Sequence, residues 1–220
     1  MELAKFRNIH AGETCVVLGN GPSLKIADIK RLAYPTFGSN MIFRLPYYPT
    51  YYSIVDKEML DTCLPLPHDF SSTLFIRAGN YEIKGNNPIY PIVAAGFSRD
   101  IDNFVVLGGT VTHVLLQIAA YMGFRTVLLL GVDHKYPLSG ILKPGSQFVA
   151  DEYDPDHFQC EDGEPYFKAG RTYNAPELDG VNQSYQWADE FFKSVGGRIV
   201  NLTPESKTDA FRKDKIENWI

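Results

Sequence analysis

Residues 104–134 read FVVLGGTVTHVLLQIAAYMGFRTVLLLGVDH, and this stretch decides the fold class. Phe104 to Leu107 is a short apolar run that ends in Gly108-Gly109-Thr110. Val111, Val114, Leu115, Ile118, Ala119 and Met122 then recur at helical spacing until Gly123, a residue type that ends helices because it enters the left-handed region without a steric cost. Thr126 to Leu130 is a further apolar run, closed by Gly131-Val132-Asp133-His134. Such a run, without polar alternation, suits a strand buried on both faces. Strand, glycine turn, helix and strand in succession predict an α/β fold with a mainly parallel sheet and helices on both faces.

The same grammar extends outward. Cys15 to Leu18 is a buried-strand run followed by Gly19-Asn20-Gly21-Pro22-Ser23-Leu24, with Ser23 expected to cap a helical segment reaching Leu32. Thr36 to Asn40 reads as the end of a second strand, Tyr51 to Asp56 as a third, Lys57 to Cys63 as a short helix, and Ser72 to Ile76 as a fourth strand. From Lys135 to about Gly180 the periodicity fails. Tyr136, Phe148, Tyr153, Phe158, Tyr166, Phe167 and Tyr173 argue against plain disorder, so the stretch at about 135–180 is expected to be an ordered lid insertion. A helix from about Val181 to Val195 and a strand from Arg198 to Leu202 follow, giving one domain over residues 1–220.

Charge and cysteine usage narrow the function classes. The net charge of −5 lacks the basic face needed to grip nucleic acid or an anionic membrane. Seven acids and no Lys or Arg lie between Asp151 and Tyr166, so this segment carries −7 and the rest of the chain +2. Three widely spaced cysteines without C-x-x-C spacing, an N-terminus without an apolar h-region and no long apolar run predict reduced thiols, no integral membrane segment and a cytoplasmic location.

In doubly wound sheets, ligands sit beyond the carboxyl ends of the strands. The strand ends at Gly19-Asn20-Gly21-Pro22-Ser23, Gly38-Ser39-Asn40, Gly108-Gly109-Thr110 and Gly131-Val132-Asp133-His134 would share that edge. Glycines let a backbone approach a phosphate, exposed helix-start amides hold negative charge, and Asn and Ser supply neutral donors, so the edge reads as a nucleotide or nucleotide-sugar site. Gly19-x-Gly21 is half of a dinucleotide fingerprint, with Leu24 in place of its third glycine. Asp133 would aim at the cleft, and His134 and His157 are the candidate general bases. His113 is read as structural. The acidic run does not match calcium-loop spacing, and no metal-ligand set is expected.

Residues 17–24, Val-Leu-Gly-Asn-Gly-Pro-Ser-Leu, with Gly-Ser-Asn at 38–40 and the stretch from Gly108 through Gly131-Val132-Asp133-His134-Lys135-Tyr136, resemble the 6-hydroxymethylpterin diphosphokinase-like family and the related bacterial sialyltransferases of glycosyltransferase family 42. The resemblance spans most of residues 12–136. It implies a Rossmann-like fold and a nucleotide pocket lined by Asn20, Gly21, Ser23 and Asn40, with Thr110 at the helix start and Asp133 ending the later strand. It also implies a lid histidine as base, for which His157 is the nearest candidate, and lid tyrosines at the leaving phosphate, for which Tyr136, Tyr153 and Tyr173 stand equal. The expected site is thus Gly19, Asn20, Gly21, Ser23, Ser39, Asn40, Gly109, Thr110 and Tyr136 for the nucleotide, with His157, Asp133 and His134 for catalysis.

The leading expectation is a sialyltransferase-like glycosyltransferase that uses a nucleotide-sugar donor, CMP-type favoured, on a glycan acceptor without a tightly bound cofactor. The alternatives are a Mg²⁺-dependent diphosphokinase acting on a hydroxymethylpterin-like alcohol, and a non-catalytic nucleotide or glycan binder. A homo-oligomeric state is left open.

Overall fold

The computed structural model describes residues 3–79, 81, 83–136 and 145–220, so residues 137–144 of the expected insertion lie outside the described residues. The chain folds first as β1 (Thr14–Leu18), α1 (Ile26–Arg31), β2 (Thr36–Ser39), β3 (Tyr51–Ile54), α2 (Lys57–Cys63) and β4 (Thr73–Ile76). It continues through β5 (Pro91–Ile92), β6 (Val105–Val106), α3 (Val111–Tyr121), β7 (Thr126–Leu130), β8 (Gln147–Val149) and β9 (Thr172–Asn174). It ends with α4 (Leu178–Ser194), β10 (Arg198–Asn201) and β11 (Arg212–Lys213).

Seven strands form one all-parallel sheet in the order β11-β10-β7-β1-β2-β3-β4. From β1 the chain steps outward to β4, then returns to lay β7 on the other side of β1. This Rossmann-like α/β order reverses direction between β1 and β7, the place where such sheets open a crevice.

The apolar runs have to serve two layers at once. Cys15, Val17, Val127, Leu129 and Ile199 face the side covered by α3 and α4. Their neighbours Val16, Leu18, Leu128, Leu130 and Val200 face the side of α1 and α2. Because side chains alternate across a strand, a sheet covered on both faces needs a continuous apolar run.

Beyond β4 the chain keeps adding to the sheet. The amides of Asn87 and Ile89 donate to the carbonyls of Leu74 and Ile76, and β5 then pairs in parallel with β6. A side chain ends this ladder. Gln117 of α3, fully buried, donates from Nε2 to the Val106 carbonyl at 2.8 Å and accepts at Oε1 from the Val106 amide at 2.8 Å and the Ser98 amide at 3.1 Å. It occupies the β6 edge as another strand would, and the same helix is anchored to the sheet it covers.

Two expected boundaries move. The first helix begins at Ile26 with Lys25 before it, so Ser23 is not its cap. α4 begins at Leu178 rather than near Val181, because the Glu177 carboxylate accepts from the Gly180 amide at 2.7 Å and starts the helix early. Within the insertion, β8 and β9 form an antiparallel pair. Phe158, Tyr166 and Tyr173 of the insertion are buried in the same cluster as α1 and α2. It is held by separate aromatic side chains rather than by a helix or strand stripe, which is why it has no periodicity.

Replacing Gln117 by Leu should leave the Val106 and Ser98 backbone groups buried without partners. We expect a loss of at least about 2 kcal/mol, read as a lower denaturant midpoint at unchanged slope.

Candidate functional site

The cleft begins with a contact between two turns. After β1 and β7 the backbones run so close that the Gly19 amide donates to the Leu130 carbonyl at 2.7 Å and the Gly21 amide to the Gly131 carbonyl at 2.9 Å. A Cβ on Gly19 would overlap the Gly131 carbonyl, and one on Gly21 would overlap the Asp133 carboxylate and lie 2.8 Å from the Gly131 oxygen. The missing side chains therefore make room for the neighbouring turn.

Above this contact lies a cleft of about 680 Å³. Gly19, Asn20, Gly21, Asn40, Gly109, Thr110, Asp133, His134, Tyr136 and His157 all line it. The two expected serines stand behind this lining. Ser39 is buried and accepts from Asn20 Nδ2 at 3.2 Å, while Ser23 donates to Asp133 Oδ2 at 2.7 Å. Ser23 thus serves a carboxylate across the β1–β7 boundary instead of the helix that follows it. Asn40 has a left-handed backbone, φ 52°, and the Oδ1 atoms of Asn20 and Asn40 are buried without a hydrogen-bond partner.

On one wall, α3 presents its N-terminus. Thr110 caps it by accepting from the Thr112 amide at 3.3 Å. The Gly109 and Val111 amides donate to no backbone carbonyl among the described residues. Unspent amides and the helix dipole together favour an anion here.

The charged part of the lining is mostly acidic. Among the described residues, Asp56, Glu58, Asp133, Asp156 and Glu177 face the cleft against a single lysine, Lys135. Burial pushes the Asp133 carboxyl up, partly offset by the Ser23 hydrogen bond. His134 also has a left-handed backbone, φ 49°, and is fixed by neighbours: the Lys207 amide donates to the Asp133 carbonyl and Ser206 Oγ to the Val132 carbonyl. Burial lowers the His134 imidazole, while Asp209 and Asp179 pull it back. Burial raises the Tyr136 phenol. Tyr173 lines the cleft and Tyr153 does not. His113 lies outside the lining, fully buried with Nε2 3.1 Å from the Gly96 carbonyl, and burial lowers it to about 4.

His157 is the best-supported side chain in the site. Its Nδ1 lies 3.0 and 2.9 Å from the two carboxylate oxygens of Asp154. Its ring stacks on Tyr166 at 4.1 Å and 7°, with Phe167 edge-on at 4.7 Å. Nε2 has no hydrogen-bond partner among the described residues. Burial works to raise the Asp154 carboxyl, but the His157 bond and the Asp156 amide outweigh it and hold it below the usual carboxylate range. The sequence reading missed this partnership. The available signal was Asp at i and His at i+3 around a proline, in Asp154-Pro155-Asp156-His157.

The acidic run divides by direction. Asp154 and Asp156 turn inward, Asp162 pairs with Arg44, and Asp151, Glu152, Glu161 and Glu164 are exposed. Among the described residues no group of three or more His, Cys, Asp or Glu could hold a metal ion, and no helix is long and apolar enough to cross a membrane.

Gly19→Ala should cost about 1–3 kcal/mol in stability and distort the cleft, since the Gly131 backbone has to move. Calorimetry on the variant checks this. The Phe158 amide, which donates to the Asn20 carbonyl at 3.0 Å, reports docking of the insertion. A lowered Asp154 pKa stabilises the fold above its unfolded value of about 4 and loses that contribution as pH falls through the lower folded value. Hydrogen exchange at Phe158 should therefore accelerate below about pH 4, and Asp154→Asn should abolish that Asp154-dependent part of the profile.

Comparison of the chain with protein-family models, with curated proteins and with solved structures finds no match, so its function has to be argued from the chemistry of this cleft.

Proposed function

We propose that the protein is a sialyltransferase-like glycosyltransferase, moving a sugar from a nucleotide donor to a hydroxyl of a glycan acceptor. One observation carries this reading: a carboxylate-backed histidine, His157 with Asp154, shares a cleft with the open N-terminus of α3. A proton acceptor and an anion site are the two functions that such a transfer requires.

His157 Nε2 takes the acceptor proton as the new bond from acceptor oxygen to sugar carbon forms. The bond from that carbon to the phosphate oxygen breaks, and its electron pair leaves with the nucleotide. The α3 amides offer hydrogen bonds to the departing phosphate, and Tyr136 lines the same cleft. Asn20 and Asn40, at the ends of β1 and β2, lie where the nucleoside would rest. Among the described residues, five carboxylates against one lysine favour a donor with a single phosphate, as in a CMP-sugar, over a triphosphate.

The acidic lining also gives a second reading its specific support. In a diphosphokinase, Asp133 and Asp156 would help hold a Mg²⁺, which would supply positive charge against the phosphates of ATP.

A thermal-shift screen of nucleotides with and without Mg²⁺ separates the two. Stabilisation by CMP or a CMP-sugar without metal is expected, and a response to ATP that requires Mg²⁺ would overturn the proposal. Asn20→Ala should weaken nucleotide binding. His157→Gln should lower kcat on the order of 10²- to 10⁴-fold while nucleotide stabilisation persists. Binding with no turnover on any acceptor would leave the protein a binder.

A further inference from the structure

We infer that Asp154 is a positioning residue that locks His157 in the tautomer with the proton on Nδ1 and the lone pair on Nε2 directed at the cleft. This rests on the reading of His157 as the base, but its geometry can be tested without any reaction.

Three contacts converge on the ring. Asp154 is almost fully buried, its side chain only 5% exposed, and it is matched to Nδ1 through both oxygens. A carboxylate can only accept, so the Nδ1 position must carry the hydrogen. Free imidazole exchanges its proton between the two nitrogens, and a base with its lone pair on the wrong nitrogen cannot act on an acceptor in the cleft. Asp154 is itself fixed, because Oδ1 also accepts from the Asp156 amide at 3.0 Å. This closes the turn 154–157 and sets the direction of the carboxylate.

Tyr166 removes the remaining freedom of the ring. The parallel stack at 4.1 Å and 7° holds the plane of the His157 ring, and the Tyr166 hydroxyl is tied to the Met41 amide at 3.4 Å. That amide belongs to the turn after β2, so the orientation of the base is referred to the same sheet edge that bears Asn40. When Nε2 takes a proton, the resulting imidazolium lies against a carboxylate already in place. No second proton moves: Nδ1 keeps its hydrogen, and Asp154 stabilises the charge formed on the ring.

The test uses the full chain with ¹⁵N-labelled histidine, at a pH where the ring is neutral, with the His157 signals assigned by their loss in His157→Gln. In the wild-type protein we expect an unprotonated Nε2 and a protonated Nδ1. In Asp154→Asn, whose amide can also donate, the Nε2–H form should become substantial while the ring protons keep the upfield displacement caused by Tyr166. A wild-type ring in the Nε2–H form overturns the inference, whether or not the variant folds. So does an Asp154→Asn variant with its stack intact and an unchanged tautomer. Under turnover, Asp154→Asn should lower kcat on the order of 10²-fold or more with KM within about threefold. If His157→Gln retains full activity, the base reading fails, and the tautomer measurement still decides the role of Asp154.

Discussion

The backbone contact between the turns after β1 and β7 is the constraint on which the rest depends. Two amide–carbonyl bonds, from Gly19 to Leu130 and from Gly21 to Gly131, hold the strands together past the point where their ladder would otherwise end. They set the floor of the cleft, bring Ser23 to Asp133, and fix the height at which Asn20 meets the insertion through Phe158. The glycines are demanded by this approach before any ligand is considered.

Much of the body was legible because its parallel strands leave a simple trace. Thr126 to Leu130 and Lys57 to Cys63 coincide with β7 and α2, since a buried run and a short amphipathic turn leave no competing pattern. The turns at the carboxyl ends were also legible, through glycine and asparagine in unusual combination. What escaped were features made by single side chains across long separations. Gln117 standing in for a strand, Ser23 bonded to a residue more than a hundred positions away, and the Asp154–His157–Tyr166 stack have no period to detect. The short pairs β5, β8, β9 and β11 escaped for a related reason, since two or three residues cannot establish an alternation.

The charge distribution needs the same local reading. A net −7 over 151–166 would repel a nucleotide if it faced inward as a whole. Five of those acids are exposed, one of them paired with Arg44, and one backs a histidine. Only Asp156 joins the lining directly, so the acidity of the cleft comes mostly from Asp56, Glu58, Asp133 and Glu177, which belong to the body and the start of α4.

The aromatic anchoring of the insertion has a thermodynamic corollary. Phe158, Tyr166 and Tyr173 belong to the same buried cluster as Leu18, Ile54 and Leu130, so the segment bearing His157 shares the cooperative unit of the sheet instead of forming a hinged flap. A chain arranged in this way cannot displace His157 by a cheap local excursion, and it cannot exchange the segment for another without rebuilding one face of its core. Substitution is tolerated more readily at the rim at Val93, Ala94 and Ala95, where side chains are exposed and the core is indifferent to change.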